Sequence, residues 1–327
     1  MAREKEKQGQ KIGKKPHGFS GVLRAFIAGI PQAYIVRVGR LLGILVYFVD
    51  ARHRRIVRRN LQFTHPELSQ ESIRILSRRV FQNIGITFLE ICQMTCFSRE
   101  DVLRKVRIRG KDNLDNAVKS SKGIIIISGH LGNWEMGPLL VSCYLQKPLV
   151  VVARKIHPEM LDRWIHRLRV RFGNIVIDKK RALPKMARTL NRGNILGLLI
   201  DQGTKLSRGI EVKFFDQTAN STPAPALLAR RYDSPVLPAF CIREADAGLT
   251  LVIEPPLVLK RTDDLRADLQ ENTQIMTSAV EKAVREHPEQ WFWFHKRWKR
   301  FHPYLYPEEL ARRHRRKEKR KARLTKV

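Results

Sequence analysis

Residues 123–137 read GIIIISGHLGNWEMG. Four consecutive isoleucines show none of the alternation of a half-exposed strand; such a run belongs to a parallel strand covered on both faces. It stops at Ser128–Gly129–His130, and Glu135 follows five residues after the histidine. Gly129 and Gly132 bracket the histidine and permit a tight turn with close backbone approach. The spacing predicts a helix from near Leu131, with Glu135 one turn in, its carboxylate accepting from one imidazole nitrogen. The other nitrogen would then be a base, and the N–H groups opening the helix would face a developing oxyanion. A plain strand-to-loop turn accounts for the same letters, and His-x4-Glu alone is a weak pattern.

Outward from this stretch, strands and helices alternate. KVRIRG, PLVVVARK, NIVID, NILGLLID, SPVLPAFCIRE and LTLVIEPPLVL read as strands. ESIRILSRRVFQNIGITFLEICQM (71–94) has apolar residues at helical spacing after Ser69, a plausible cap, and further helices fall between the strands. This order predicts an α/β fold with a largely parallel sheet flanked by helices. Ligands of such sheets collect outside the carboxyl ends of the strands. His130 and Asp201, the latter closing ILGLLID, both stand at such ends and form a candidate site, although Asp201 would equally serve as a loop cap. No serine or cysteine nucleophile with a hydrolase elbow accompanies them, and no second histidine completes a metalloprotease motif. A base without an enzyme nucleophile points to an attacking hydroxyl supplied by substrate.

Sixty-three Lys and Arg against 31 Asp and Glu give a formal charge of +32 over 327 residues. Such a surface attracts anionic lipid, an acidic protein or nucleic acid, and charge alone does not choose among them. The four cysteines show no paired zinc spacing; Cys92 and Cys96, four apart in a helical stretch, read as buried thiols of a reducing compartment. Residues 1–17 read as a disordered basic tail. The apolar runs of 18–60 are interrupted by Arg24, Pro31, Arg37 and Arg40, which suits an amphipathic segment lying in a membrane interface better than a clean span. The basic stretch DARHRRIVRRN (50–60) that closes it favours the cytoplasmic side. Residues 308–327 read as a second basic tail. Trp291, Trp293 and Trp298, set among Lys and Arg, fit base stacking, a core, or the headgroup level of a bilayer. The apolar N-terminal segment and the lack of a recognisable binding module argue against a nucleic-acid partner.

Taken together, GHLGNWEMG, RRNLQFTHPELS (58–69), FQNIGITFLEI (81–91), VVARKIHPEMLDRWIHRLR (151–169), the block 195–230 and PEQWFWFHKRWK (288–299) resemble the bacterial lipid A biosynthesis acyltransferases. The likeness runs from about Tyr47 to Pro303 and rests on several blocks in order. It implies an acyltransferase domain over 61–307, without a cofactor. A fatty acyl chain would pass from acyl carrier protein or acyl-CoA to a hydroxyl of a phosphorylated lipid A precursor. The reaction would take place on the cytoplasmic face of a bacterial inner membrane, with the protein peripheral or held by a single N-terminal anchor. His130 would be the base and Glu135 its orienting, charge-balancing partner; Arg154, Asp201, Gln202 and Asn133 would contact substrate. FFD (214–216) and TPAPA (222–226) depart from the family's more glycine-rich turns. The loop GTKLSRG lacks the Pro-Glu-Gly block of glycerophosphate acyltransferases, which argues against a phosphatidic-acid-making enzyme. Another glycolipid or aminolipid acceptor would use the same chemistry.

Overall fold

A computed structural model describes residues 19–311 except 121, together with 315 and 318. The tail expected over 1–17, and most of that over 308–327, lie outside the described residues. The strands are β1 (Val106–Arg109), β2 (Ile124–Ser128), β3 (Leu149–Ala153), β4 (Ile175–Asp178) and β5 (Ile195–Leu199). They continue with β6 (Ile210–Phe214), β7 (Gln217–Ser221), β8 (Val236–Arg243) and β9 (Leu249–Ile253). Before the sheet come the helices α1 (Phe19–Gly29), α2 (Gln32–Val49), α3 (Ala51–Thr64), α4 (Gln70–Met94) and α5 (Arg99–Lys105). The others are α6 (Lys111–Lys119), α7 (Met136–Leu145), α8 (Glu159–Arg169), α9 (Leu183–Asn191), α10 (Ala224–Tyr232) and α11 (Leu265–Glu286).

Seven strands form one sheet in the order β1-β9-β8-β2-β5-β3-β4. The five from β8 to β4 are mutually parallel, while β9 is antiparallel to β8 and β1 parallel to β9. The sheet is therefore largely parallel, as the alternation of elements predicted. Its isoleucine strand β2 lies inside it, between β8 and β5. Ile125 and Ile127 pack into the core on one face, Ile124 and Ile126 into the core on the other. Both sides of β2 are dry, so no polar residue is tolerated along it until Ser128 at its end. Burying each isoleucine contributes about 1.5–3 kcal/mol.

Beyond Ser128 the structure departs from the predicted helix. Leu131 makes an isolated antiparallel bridge to Trp291, Gly132 takes φ +58°, and α7 begins only at Met136. A Cβ on Gly132 would stand 2.1 Å from the Cys241 carbonyl oxygen, so this turn is pressed against β8. The hairpin β6–β7 turns through Phe215 and Asp216, both at positive φ, at the site of the FFD departure. Arg285 lies over the Phe215 ring and pairs with Asp216 there.

The apolar N-terminal segment forms three helices, broken near Pro31 and capped at Asp50, whose carboxylate accepts from the His53 N–H. From α3, Asn60 donates to the carbonyls of Trp293 and His295 and accepts from the Tyr306 hydroxyl, tying the closing aromatic segment to the helical layer. Trp291, Trp293 and Trp298 are almost completely buried, which is the core reading of the three considered and leaves no ring free to stack on a base. Glu308 and Glu309, at the start of the segment read as a tail, are held in ion pairs with Arg59 and Lys296.

Behind the 130–135 turn lies a buried ion pair, Glu90 of α4 with Arg243 of β8, both nearly inaccessible. Glu90 also accepts from Asn133 at 3.0 Å and from Gln32 at 2.6 Å. Removing one partner strands the other charge, a loss of about 3–5 kcal/mol. Denaturation should therefore show Glu90→Ala destabilised by roughly that amount. The double change Glu90→Leu with Arg243→Met should cost clearly less than either partner's loss alone.

Candidate functional site

Strand β2 pairs with β5 in parallel, with Ser128 opposite Leu199, and the Ile200 N–H donates to the Ser128 carbonyl at 2.9 Å. That register brings His130 and Asp201, each two residues past its partner, to the same edge. The imidazole Nδ1 lies 2.8 Å from Asp201 Oδ1. Asp201 Oδ2 accepts from the His130 backbone N–H at 3.0 Å and from the Trp291 indole at 2.9 Å. Three donors thus converge on a carboxylate whose side chain is 2 % exposed, while 21 % of the His130 side chain stays open. In the neutral imidazole, with Nδ1–H committed to the aspartate, Nε2 carries the lone pair.

Burial works to raise the Asp201 pKa, but the charge and hydrogen bonds of His130 and the Trp291 donor hold it well below the ordinary carboxylate value. Burial likewise works to lower the His130 pKa, and here the Asp201 charge and hydrogen bond prevail, so it lies above the ordinary histidine value. His295, the histidine of the closing segment, has no such carboxylate bond and is pushed down to about 3, chiefly by burial. Of these two imidazoles, only His130 combines a carboxylate partner with an open face.

Glu135 is placed differently from its expected bond to the imidazole. Because α7 starts late, Glu135 is the residue before the helix rather than one turn within it. Both its oxygens accept from Arg169 of α8, Oε2 from Nε at 2.8 Å and Oε1 from Nη2 at 2.5 Å. It reaches His130 only as a nearby negative charge. The hydrogen bond expected from Glu135 is made by Asp201, which had been expected to contact substrate. The N–H groups predicted to face an oxyanion are largely committed inside the protein. Those of Leu131, Gly132 and Asn133 donate to the carbonyls of Gly129, Gln290 and Cys241. That of Met136 donates to Asn133.

Gln202 lies over the imidazole, its Nε2 3.4 Å from both ring nitrogens. Arg154 stands exposed just beyond β3, on the same edge of the sheet. Glu159, five residues on, pairs with Arg163 rather than with Arg154. Asn133 does not face the cleft: it is fully buried, with its amide on Glu90 and its carbonyl oxygen accepting from Met136. Trp134 and Phe292 flank the histidine, with ring centroids 5.4 and 6.1 Å away. No group of three His, Cys, Asp or Glu side chains suited to a metal lies among the described residues.

Arg169, Trp291 and the Glu90–Arg243 pair were not identified as site elements from sequence. Arg169 lies 34 positions from Glu135, inside an ordinary amphipathic helix, and carries no local signal.

A family profile described as bacterial lipid A biosynthesis acyltransferase matches residues 19–300. Among individual proteins, the lipid A biosynthesis lauroyltransferase of Escherichia coli (strain K12) is 25 % identical over 276 residues, 84 % of this chain and 88 % of that protein. The lipid A biosynthesis palmitoleoyltransferase of the same strain is 24 % identical over 282 residues, 85 % of this chain and 89 % of that one. A phosphatidylinositol mannoside acyltransferase of Mycolicibacterium smegmatis is 26 % identical over 192 residues, 57 % of this chain and 60 % of its own.

The proton balance of the pair is directly measurable. In the full chain carrying 15N-labelled histidine, NMR should find His130 titrating above the ordinary histidine value. Asp201→Asn should move that midpoint down, because burial then acts without the opposing charge. An unmoved midpoint would mean that Asp201 does not govern the imidazole.

Proposed function

The chain belongs to the bacterial lipid A biosynthesis acyltransferase family, and we propose that it moves a fatty acyl chain from a thioester donor to a hydroxyl of a lipid A precursor. The observation that carries this reading is the His130–Asp201 pair at adjacent strand ends, with 21 % of the His130 side chain exposed. Nε2 takes the proton of the acceptor hydroxyl as its oxygen attacks the thioester carbonyl. The tetrahedral intermediate collapses by breaking the carbon–sulfur bond, and the imidazolium returns its proton to the departing thiolate. No acyl-enzyme forms. Asp201 holds the tautomer and stabilises the transient imidazolium, in the manner of the aspartate of a catalytic triad.

Glu135, neutralised by Arg169, completes the charge balance beside the imidazole and fixes the turn that carries it. Gln202 aligns the reacting groups at the ring edge. Arg154, a cation free to reorient at the mouth, binds a phosphate of the acceptor. Acyl carrier protein is the donor this surface favours, since a chain of charge +32 attracts a strongly acidic carrier. The enzyme works at the cytoplasmic face of the inner membrane, where donor and acceptor meet.

Lipids from cells with and without the gene, compared by mass spectrometry, should differ by one acyl chain on lipid A. A chain missing instead from a mannosylated phosphoinositide would favour the acceptor named for the mycobacterial relative. In assays with purified protein, His130→Ala should lower kcat by about 100- to 10,000-fold. Arg154→Ala should raise the acceptor KM and leave kcat nearly unchanged. Turnover with acyl-CoA as fast as with acyl carrier protein would remove the case for the carrier.

A further inference from the structure

Among the described residues two arginines are buried in the interior, Arg243 and Arg297. Arg243 is matched by Glu90. Arg297, in the closing segment, is 1 % exposed and, among the described residues, sits in no ion pair with a carboxylate. Its partners are neutral. Nη1 donates to the Asn220 carbonyl at 2.9 Å and Nη2 to Ser221 Oγ at 2.6 Å, both on β7. The guanidinium lies 5.2 Å from the centre of the Phe214 ring, and its buried Nε–H finds no acceptor among the described residues. Burial pushes its pKa down to about 10, still well above neutrality, so the group stays charged. A fixed cation sunk in the interior disfavours folding unless a counter-charge answers it.

Asp201 is the charge that answers it. Gly203, two residues past the aspartate, lies against Arg297: a Cβ there would stand 3.2 Å from the Arg297 carbonyl oxygen and 3.8 Å from Nη1. The Phe214 ring beside the guanidinium packs on Trp291, with ring centres 5.5 Å apart, and the Trp291 indole donates to Asp201. The aspartate's charge is also what opposes the effect of burial on Arg297. The charged and titratable groups around the imidazole are Asp201 beyond β5, Glu135 with Arg169 of α8, and His295 and Arg297 of the closing segment, where Lys299 acts on His295. Glu135 is cancelled by Arg169, and His295 is uncharged at neutral pH. What remains beside the imidazole is one anion, Asp201, and one cation, Arg297. With the imidazole neutral, the cluster carries no net charge.

We propose that Arg297 is a positioning residue that works through Asp201: its buried charge balances the ionised aspartate, so that the imidazole can stand beside that aspartate without a proton. This rests on the reading of His130 as the base of the acyl transfer. A lone buried carboxylate draws a proton onto a neighbouring imidazole, and an imidazolium has no lone pair for an acceptor hydroxyl. The guanidinium removes part of that pull. It does not displace the histidine, because its hydrogen bonds go to β7 and none goes to the carboxylate. Asp201 keeps enough charge to fix the tautomer and steady the imidazolium during attack, and too little to trap it at rest. The closing segment thus supplies both the indole that binds the carboxylate and, six residues on, the charge that balances it. Hydrogen bonding alone does not call for a cation at 297, since an uncharged amide would reach the same acceptors with less to desolvate.

Titration with the charge removed tests this. In the full chain carrying 15N-labelled histidine, the His130 signals are assigned by their loss in His130→Ala. Arg297→Gln should raise the His130 midpoint by roughly one unit, the low end of what a nearby charge does. Arg297→Lys, which keeps the charge, should leave the midpoint close to that of the unaltered protein. Ser221→Asp sets a carboxylate against the same guanidinium and should raise the midpoint too, which keeps the question answerable if Arg297→Gln does not fold. The acid limb of kcat/KM should move to higher pH together with the midpoint. A midpoint unmoved in either charge-altering variant, once folded, would overturn the proposal. So would one that falls, since Arg297 would then only prop Asp201 against the ring, or one that Arg297→Lys shifts as far as Arg297→Gln. The titration involves no acyl transfer: raised midpoints in a chain that moves no acyl group would uphold the charge balance and sink the acyltransferase reading. Acyl transfer with unmoved midpoints would do the reverse.

Discussion

The candidate site depends on a register. Ser128 faces Leu199, so the two strands end level and the second residue beyond each meets its counterpart. A slip of one residue along β5 would turn Asp201 to the other face of the sheet and present Ile200 to the imidazole. The isoleucines guard against that slip, since β2 is filled by large side chains on both faces and has no alternative alignment of equal burial. The meeting of His130 and Asp201 at the edge thus rests on apolar packing in the middle.

Charge is handled in this core by pairing each carboxylate at once. Asp201 is matched by His130, Glu135 by Arg169 and Glu90 by Arg243. The pairs differ in what they leave unsatisfied. Glu135 and Glu90 meet guanidinium groups in forked contacts and are saturated, so they act as fixed struts with a local field. Asp201 meets a group that can gain and lose a proton, and that pair alone retains chemical freedom. The Glu90–Arg243 strut reaches the turn through Asn133, and Gln290 binds both Gly132 and Arg243. The backbone carrying His130 is therefore braced from α4, β8 and the closing aromatic segment together.

The parallel sheet, most of its strands and the pairing of strand ends were readable from the chain. Uninterrupted apolar runs and terminal polar residues are local signals, so His130 and Asp201 could be placed on one edge without a structure. The partner of the imidazole was not readable in the same way. Proximity in sequence favoured Glu135, yet the positive φ of Gly132 and its contact with β8 delay the helix and turn that carboxylate toward α8. Such a turn is decided by a strand more than a hundred residues away, and Arg169 enters the site from a helix with no distinguishing pattern. Asn133 shows the same limit: its position beside the histidine suggested a substrate contact, while its side chain serves the interior.

The opposed shifts of His130 and Asp201 have a consequence for how the molecule meets acid. As pH falls, the imidazole takes the proton first and the aspartate remains ionised, so a hydrogen bond becomes a full ion pair. The raised value at His130 means that its contribution to stability is complete below the ordinary histidine pKa and is lost only as pH rises through the raised one. The depressed value at Asp201 keeps its contribution until far more acid conditions. Mild acid therefore charges the imidazole while strengthening its contact with Asp201 between the ends of β2 and β5. The joint between these two strand ends thus holds in mild acid and loosens first on the alkaline side.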